Sequence, residues 1–266
     1  MNFKRLSKNI RLNIIKMLFE GKASHLGSSL SVVEILIAMF SSVNINKIKS
    51  KEINRDRIII SKGHCAAGYN AVMHEFGLIS KKQIKTYHKD NSYLAGHASH
   101  SVNFVEHSTG ALGHGLAVAV GCALGLKNKK IKKSLALCLC GDGELHEGSI
   151  WESLLLASHK KLDNLVVLID YNKMSNITFT KKVVDLDPIV KKFEGFNLNT
   201  AFVDGHDVIK IINLIKKKTF RKKPLVIICN TTKGKGVKFA ESNQIWNYRS
   251  LDKKHYEIAK TNILEG

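Results

Sequence analysis

A chain of 266 residues is long enough to bury a substantial core, and it suits one large domain over residues 1–266. Its 44% hydrophobic content argues against disorder, and no run reaches the ~18 uncharged apolar residues of a membrane helix. The formal charge of +20 makes nucleic acid the first partner to weigh. However, the lysines are spread over surface-like segments, with short clusters at residues 127–133, 216–218 and 222–223, and no recognition motif or aromatic stripe accompanies them. They read as a solvated basic surface, able to draw in phosphorylated substrates or an acidic partner.

The first forty residues read as helical. Ile10, Ile14, Met17 and Leu18 recur at helical spacing, a break follows at residues 21–29, and Val32, Ile35, Leu36 and Met39 mark a second helix. Residues 57–61 look like a strand, and the Ala-, Val- and Gly-rich residues 113–125 suit a tightly packed helix. Residues 135–140, 165–169, 200–203 and 225–229 read as strands buried on both faces, with helices at 148–160, 188–193 and 208–218 between them. Strands alternating with helices predict an α/β fold, a parallel sheet with helices on both faces. The start lacks the apolar region and cleavage site of a signal peptide. The five cysteines, Cys65, Cys122, Cys138, Cys140 and Cys229, sit mostly in apolar runs and read as reduced, which implies a cytoplasmic protein.

Ligands of such a sheet bind beyond the carboxyl ends of the strands. One strand runs into Gly141-Asp142-Gly143, and the next ends at Asp170-Tyr171-Asn172-Lys173. A right-handed crossover brings both ends to one edge of the sheet, so Asp142 and Asn172 become neighbours. A carboxylate with an amide oxygen offers hard ligands for magnesium or calcium. The flanking glycines let backbone amides approach a phosphate, and a helix N-terminus adds a favourable dipole. These features predict a metal-bridged diphosphate site, while for Gly-Asp-Gly taken alone a tight turn after a strand is the favoured plainer reading.

Gly141-Asp142-Gly143, then Glu147-Gly148, then Asn172 at this distance, resembles the thiamine diphosphate motif of the transketolase family. The loops around Ser24-His25, Ser61-Lys62-Gly63-His64 and Ala95-Gly96-His97 resemble its three histidine loops, and Ser108-Thr109-Gly110-Ala111-Leu112-Gly113 its thiazolium loop. Asp204-Gly205-His206-Asp207 and Thr232-Lys233-Gly234-Lys235-Gly236 complete the series, so the resemblance covers nearly the whole chain. It implies the thiamine diphosphate-binding fold, and specifically the diphosphate-binding domain. Asp142, Asn172 and the Met174 carbonyl are then expected to hold Mg2+, with Ca2+ or Mn2+ as substitutes. Gly141, the Gly143 amide and His64 face the diphosphate, Gly110 and Leu112 the thiazolium, and Glu147 a subunit interface. His25, His64 and His97 are expected to point at substrate, where histidine can relay protons. His114 stands where the family usually has glutamine, and Asn247 where related chains often have histidine. An amide at Asn247 can hydrogen-bond a phosphate or hydroxyl but cannot shuttle a proton. Trp151 and Trp246 read as packing residues.

The resemblance further implies a split enzyme. The activating glutamate of the family lies in a pyrimidine-binding domain, expected here on a separate chain in an α2β2 assembly. The expected reaction moves a two-carbon ketol unit from a ketose or ketose phosphate to an aldose. A deoxyxylulose-phosphate synthase, a ketoacid dehydrogenase component, a specialised sugar-modifying transketolase and a non-catalytic binding protein on this fold remain as alternatives.

Overall fold

A computed structural model describes residues 2–217 and 222–266. Five strands, β1 (Arg57–Ile60), β2 (Ala136–Gly141), β3 (Leu165–Tyr171), β4 (Asn199–Asp204) and β5 (Leu225–Asn230), form one all-parallel sheet in the order β1-β2-β3-β5-β4. The N-terminal third supplies α1 (Phe3–Glu20), α2 (Leu26–Ser31), α3 (Val33–Ser41), α4 (Ile45–Lys49), α5 (Ala66–Glu75) and α6 (Lys81–Ile84). The remainder supplies α7 (His114–Asn128), α8 (Gly148–His159), α9 (Thr180–Val183), α10 (Ile189–Gly195), α11 (Val208–Lys216) and α12 (Lys253–Glu265).

Alternation along the central strands builds two cores. Leu137, Leu139, Val166, Leu168 and Ile227 pack with α1, α3, α5 and α11 on one face. Cys138, Cys140, Val167, Ile169 and Ile228 pack with α7, α8 and α10 on the other. β2 and β3 are buried throughout because helices cover both sides, which is why they read as continuous apolar runs. Each fully buried Leu or Ile contributes roughly 1.5–3 kcal/mol.

Two expectations are corrected. β4 is not buried on both faces; it is an edge strand in which only Val203 is buried, and Phe202 is 54% exposed. The expected break at residues 21–29 also ends early, because α2 starts at Leu26. A left-handed His25 (φ 69°) turns the chain, and the whole of α2 is buried, so tertiary packing overrides its Gly- and Ser-rich sequence. The helix expected over 208–218 is α11, which ends at Lys216; Lys218 lies outside the described residues. All five cysteines are free, and all but Cys122 are buried. Among the described residues no helix is long and apolar enough to cross a membrane.

Candidate active site

The carboxyl edge of the sheet gathers every motif loop. β1 delivers Ser61 to His64, β2 delivers Asp142, β3 delivers Asn172, and β5 leads through Thr231 to Lys233. Gly141 of β2 pairs with Asp170 of β3, so Asp142 and Asn172 leave adjacent strands side by side, as the crossover argument requires. The Lys173 amide donates to Asp142 Oδ2 at 2.5 Å, the Gly143 amide to Asp142 Oδ1 at 2.8 Å, and the Met174 amide to Asn172 Oδ1 at 3.1 Å. These groups open on a cavity of about 240 Å³, whose walls include His64, Leu112, Asp142, Asn172, Met174 and Lys233. Gly141 and Gly143 line it too, while Glu147 sits exposed at its mouth. A larger cavity of about 650 Å³ lies at the opposite end of the sheet, by Leu135, Val166 and Leu225. Ligands of parallel sheets bind at the carboxyl end, so the smaller cavity is the candidate.

The three expected histidines meet at this edge. The ring centroids of His25 and His64 lie 5.6 Å apart, and those of His25 and His97 lie 5.5 Å apart. Backbone bonds stitch their loops together: Ala98 donates to the Gly63 carbonyl at 3.2 Å, and Thr109 to the Ala98 carbonyl at 2.9 Å. Gly63 is required for this approach, because a Cβ there would lie 2.8 Å from the Thr109 carbonyl. Gly110 lies against the His97 ring. Burial, reinforced by His97, Lys233 and Lys62, lowers His25 to about 4. Burial and Lys62 hold His64 well below its usual value, and burial lowers His97 as well. All three are neutral imidazoles at neutral pH, each able to donate one hydrogen bond and accept another.

The charges beneath the cavity were not singled out by the motifs. Asp170 is fully buried and accepts from Lys62, from Thr231 Oγ1, from Ser31 Oγ at 2.6 Å and from Asn172 Nδ2 at 3.0 Å. Burial alone raises the Asp170 carboxyl, but Lys62 and the two hydroxyls outweigh it and hold it low. Glu144 is equally buried; it accepts from Ser61 Oγ at 2.6 Å and from the amides of Gly113 and Gly141 at 2.9 and 2.8 Å. It thus ties three motif loops to one carboxylate. In the sequence only its place directly after Gly143 marks it, whereas the family resemblance falls on Glu147.

The donor set fits a metal-bridged diphosphate. Burial, then the nearby Asp170, pushes Asp142 up to about 7 against the opposing pull of Lys62 and Lys233, so its carboxylate is only partly compensated. Lys233 is the reverse case. Burial and Lys62 lower it to about 8, and its contacts are to the Met174 and Ser175 carbonyls at 3.4 and 3.3 Å. A buried ammonium whose hydrogen bonds among the described residues go to two carbonyls, with Asp142 and Asp170 nearby, suits an anion at a cavity wall. Among the described residues no three His, Cys, Asp or Glu side chains form a metal cluster; the expected set instead combines one carboxylate, one amide and one backbone carbonyl.

Asn247 lies behind the cavity wall and is 1% exposed, bonded to Ser28 and Asn176. His114 is exposed at the start of α7. Trp151 stacks on Phe193 and Trp246 packs on Phe239, both as packing residues.

The family model described as "Transketolase, thiamine diphosphate binding domain" matches residues 3–261. One of the subunits of the apulose-4-phosphate transketolase from Actinobacillus succinogenes is 39% identical over 257 residues, which span 95% of this chain and 92% of that protein. The 6-deoxy-6-sulfo-D-fructose transketolase subunit SqwG of a Clostridium species is 31% identical over 238 residues, 88% of this chain and 86% of that one. The crystal structure of transketolase from Campylobacter jejuni superposes with a TM-score of 0.90 at 27% identity, covering 99% of this chain but 43% of that enzyme.

Proposed function

The chain belongs to the transketolase family, and we propose that it is the diphosphate-binding subunit of a split enzyme that transfers a two-carbon ketol unit from a ketose to an aldose. The observation that carries this reading is the convergence of Asp142, Asn172, the Met174 carbonyl and Lys233 on one cavity at the carboxyl edge of the sheet. Asp142, Asn172 and the Met174 carbonyl hold Mg2+, for which Ca2+ or Mn2+ substitutes, while the Gly143 amide, His64 and Lys233 face the diphosphate. Thiamine diphosphate, once bound, supplies the carbon nucleophile and stores the transferred unit. Leu112 and Gly110 support the thiazolium side. His25, His64 and His97, as neutral imidazoles, hydrogen-bond sugar hydroxyls and move protons between them and the reacting carbonyl.

The chain spans nearly all of two relatives named as subunits and less than half of the Campylobacter enzyme. That difference supports a partner chain carrying the pyrimidine-binding domain, assembled as α2β2, with the exposed Glu147 at the joint between chains. The names of these two relatives contain a phosphate and a sulfo group. Together with the +20 charge, this supports an anionic ketose as donor, concentrated near the site by the positive field. The test is reconstitution with a pyrimidine-domain partner and assay of ketose-to-aldose transfer in the presence of thiamine diphosphate and Mg2+. Transfer that requires both chains is the expected result. Robust transfer by this chain alone, or no cofactor uptake by the complex, overturns it.

A further inference from the structure

We infer that Asn247 is a positioning residue that latches together the two walls of the cofactor cavity, an inference that rests on the proposed use of that cavity. One wall is the first histidine loop, which contributes Ser28; the other is the turn after Met174, which contributes Ser175, Asn176 and Ile177. Asn247 reaches both from behind. Its Oδ1 accepts from Ser28 Oγ at 2.8 Å, and its Nδ2 donates to Asn176 Oδ1 at 2.8 Å. Its backbone carbonyl accepts from the amide of the left-handed His25 at 3.1 Å.

A carboxamide suits this position because it offers an acceptor and a donor side by side, so one buried side chain satisfies two loops at once. The latch has a firm base. Trp246 is 4% exposed and packs on Phe239 and His255, with ring centroids 4.5 and 4.7 Å away. The Tyr248 hydroxyl adds a second tie, donating to the Asn176 carbonyl at 2.6 Å. The far wall needs such support. Residues 174–179 form a small turn closed by the Met174–Phe179 bridge, with Asn176 and Ile177 exposed on it. Met174 and Ser175 of the same turn present the carbonyls that hold Lys233. Asn247 therefore sets the spacing between the His25 loop and the Met174 and Ser175 carbonyls from behind the cavity lining.

The test uses the full chain with Asn247→Leu, which removes both side-chain bonds at similar volume, and Asn176→Ala, an exposed change that leaves the fold intact. Hydrogen exchange on the chain without ligand reads the latch directly. Amides of residues 174–179 exchange about fivefold to tenfold faster in each variant, the worth of one net hydrogen bond, while β2 and β3 keep their protection. Titration with thiamine diphosphate and Mg2+ shows a similar loss of affinity. The double variant binds no more weakly than Asn247→Leu alone, because both changes break one bridge. Unchanged exchange at residues 174–179 in both variants overturns the latch, as does acceleration spread through the sheet. If the native chain takes up no thiamine diphosphate while its exchange pattern responds as stated, the latch stands and the cofactor reading falls.

Discussion

Asp170 Oδ2 accepts from Asn172 Nδ2 at 3.0 Å, and together with the Met174 amide, which donates to Oδ1, this bond sets which way the Asn172 amide faces. With the nitrogen held toward Asp170, Oδ1 is turned to the Met174 amide and the cavity. The same carboxylate holds Lys62, so one buried group orients the Asn172 amide and neutralises a cation. Asp170→Asn removes the charge partner of Lys62 and permits the Asn172 amide to flip. Breaking a buried ion pair costs about 3–5 kcal/mol. The variant is expected to melt well below the native chain and to bind thiamine diphosphate and Mg2+ more than tenfold more weakly, read by thermal unfolding and calorimetry. Native affinity in a chain that still folds would show that Asp170 does not set the ligand.

On the proposed assignment Asp142 serves the cation and Lys233 the anion, so variants at the two positions should fail differently. Asp142→Asn keeps the shape and the bond from Lys173 but removes the charge that a divalent metal needs. Metal-dependent uptake of thiamine diphosphate is expected to fall at least about a hundredfold with the fold retained, since a buried charge lacking a cation is a burden on the folded chain. Lys233→Met is expected to weaken diphosphate far more than Mn2+ alone. Equal losses of both ligands in both variants would contradict the assignment.

The motif loops and the sheet were legible in the sequence because each rests on local signals: apolar runs for β2 and β3, glycines around Asp142, histidines in matching loops. Asp170 and Glu144 were not, because a buried carboxylate is defined by what surrounds it. Ser31 and Thr231, the partners of Asp170, come from segments 139 and 61 residues away. β4 read as a central strand because periodicity cannot report which strand has one neighbour. Asn247 was visible as an anomaly, but its two partners, 219 and 71 residues distant, appear only in the fold.

The Arg11–Glu34–His206 cluster gives a pH signature separate from the active site. Arg11 grips Glu34 at 2.6 and 2.9 Å, and its Nε donates to the Lys235 carbonyl at 2.9 Å. His206 Nε2 accepts from the Thr232 amide at 2.9 Å, leaving Nδ1–H to donate to Glu34 Oε2 at 2.9 Å. Burial alone raises the Glu34 carboxyl, but Arg11 and His206 outweigh it and bring it from 4.5 to about 2. A depressed folded-state value means that this stabilisation is complete above pH 4.5 and is lost as pH falls through about 2. It amounts to about 3 kcal/mol. Glu34→Gln is expected to lower urea-unfolding stability at neutral pH, with the gap to the native chain narrowing below pH 4.5. A gap that stays constant down to pH 3 would refute the linkage.

His64 and His97 are expected to fail in different ways. His64 lines the cavity beside Asp142 and Asn172, whereas His97 stands outside that lining, its ring 5.5 Å from that of His25. In the reconstituted two-chain enzyme, His64→Ala should weaken thiamine diphosphate binding as well as turnover. His97→Ala should leave cofactor affinity within about threefold and lower kcat/KM for transfer by roughly 10²–10⁴, the usual worth of a proton-transferring side chain. Burial places His25 at about 4, so its titration should add no limb to the rate profile between pH 6 and 8. An acidic limb near pH 6.5 that vanishes in His25→Asn would mean that the assembled site leaves this imidazole solvated and charged. Its role would then be that of a cation toward the anionic sugar rather than a neutral relay.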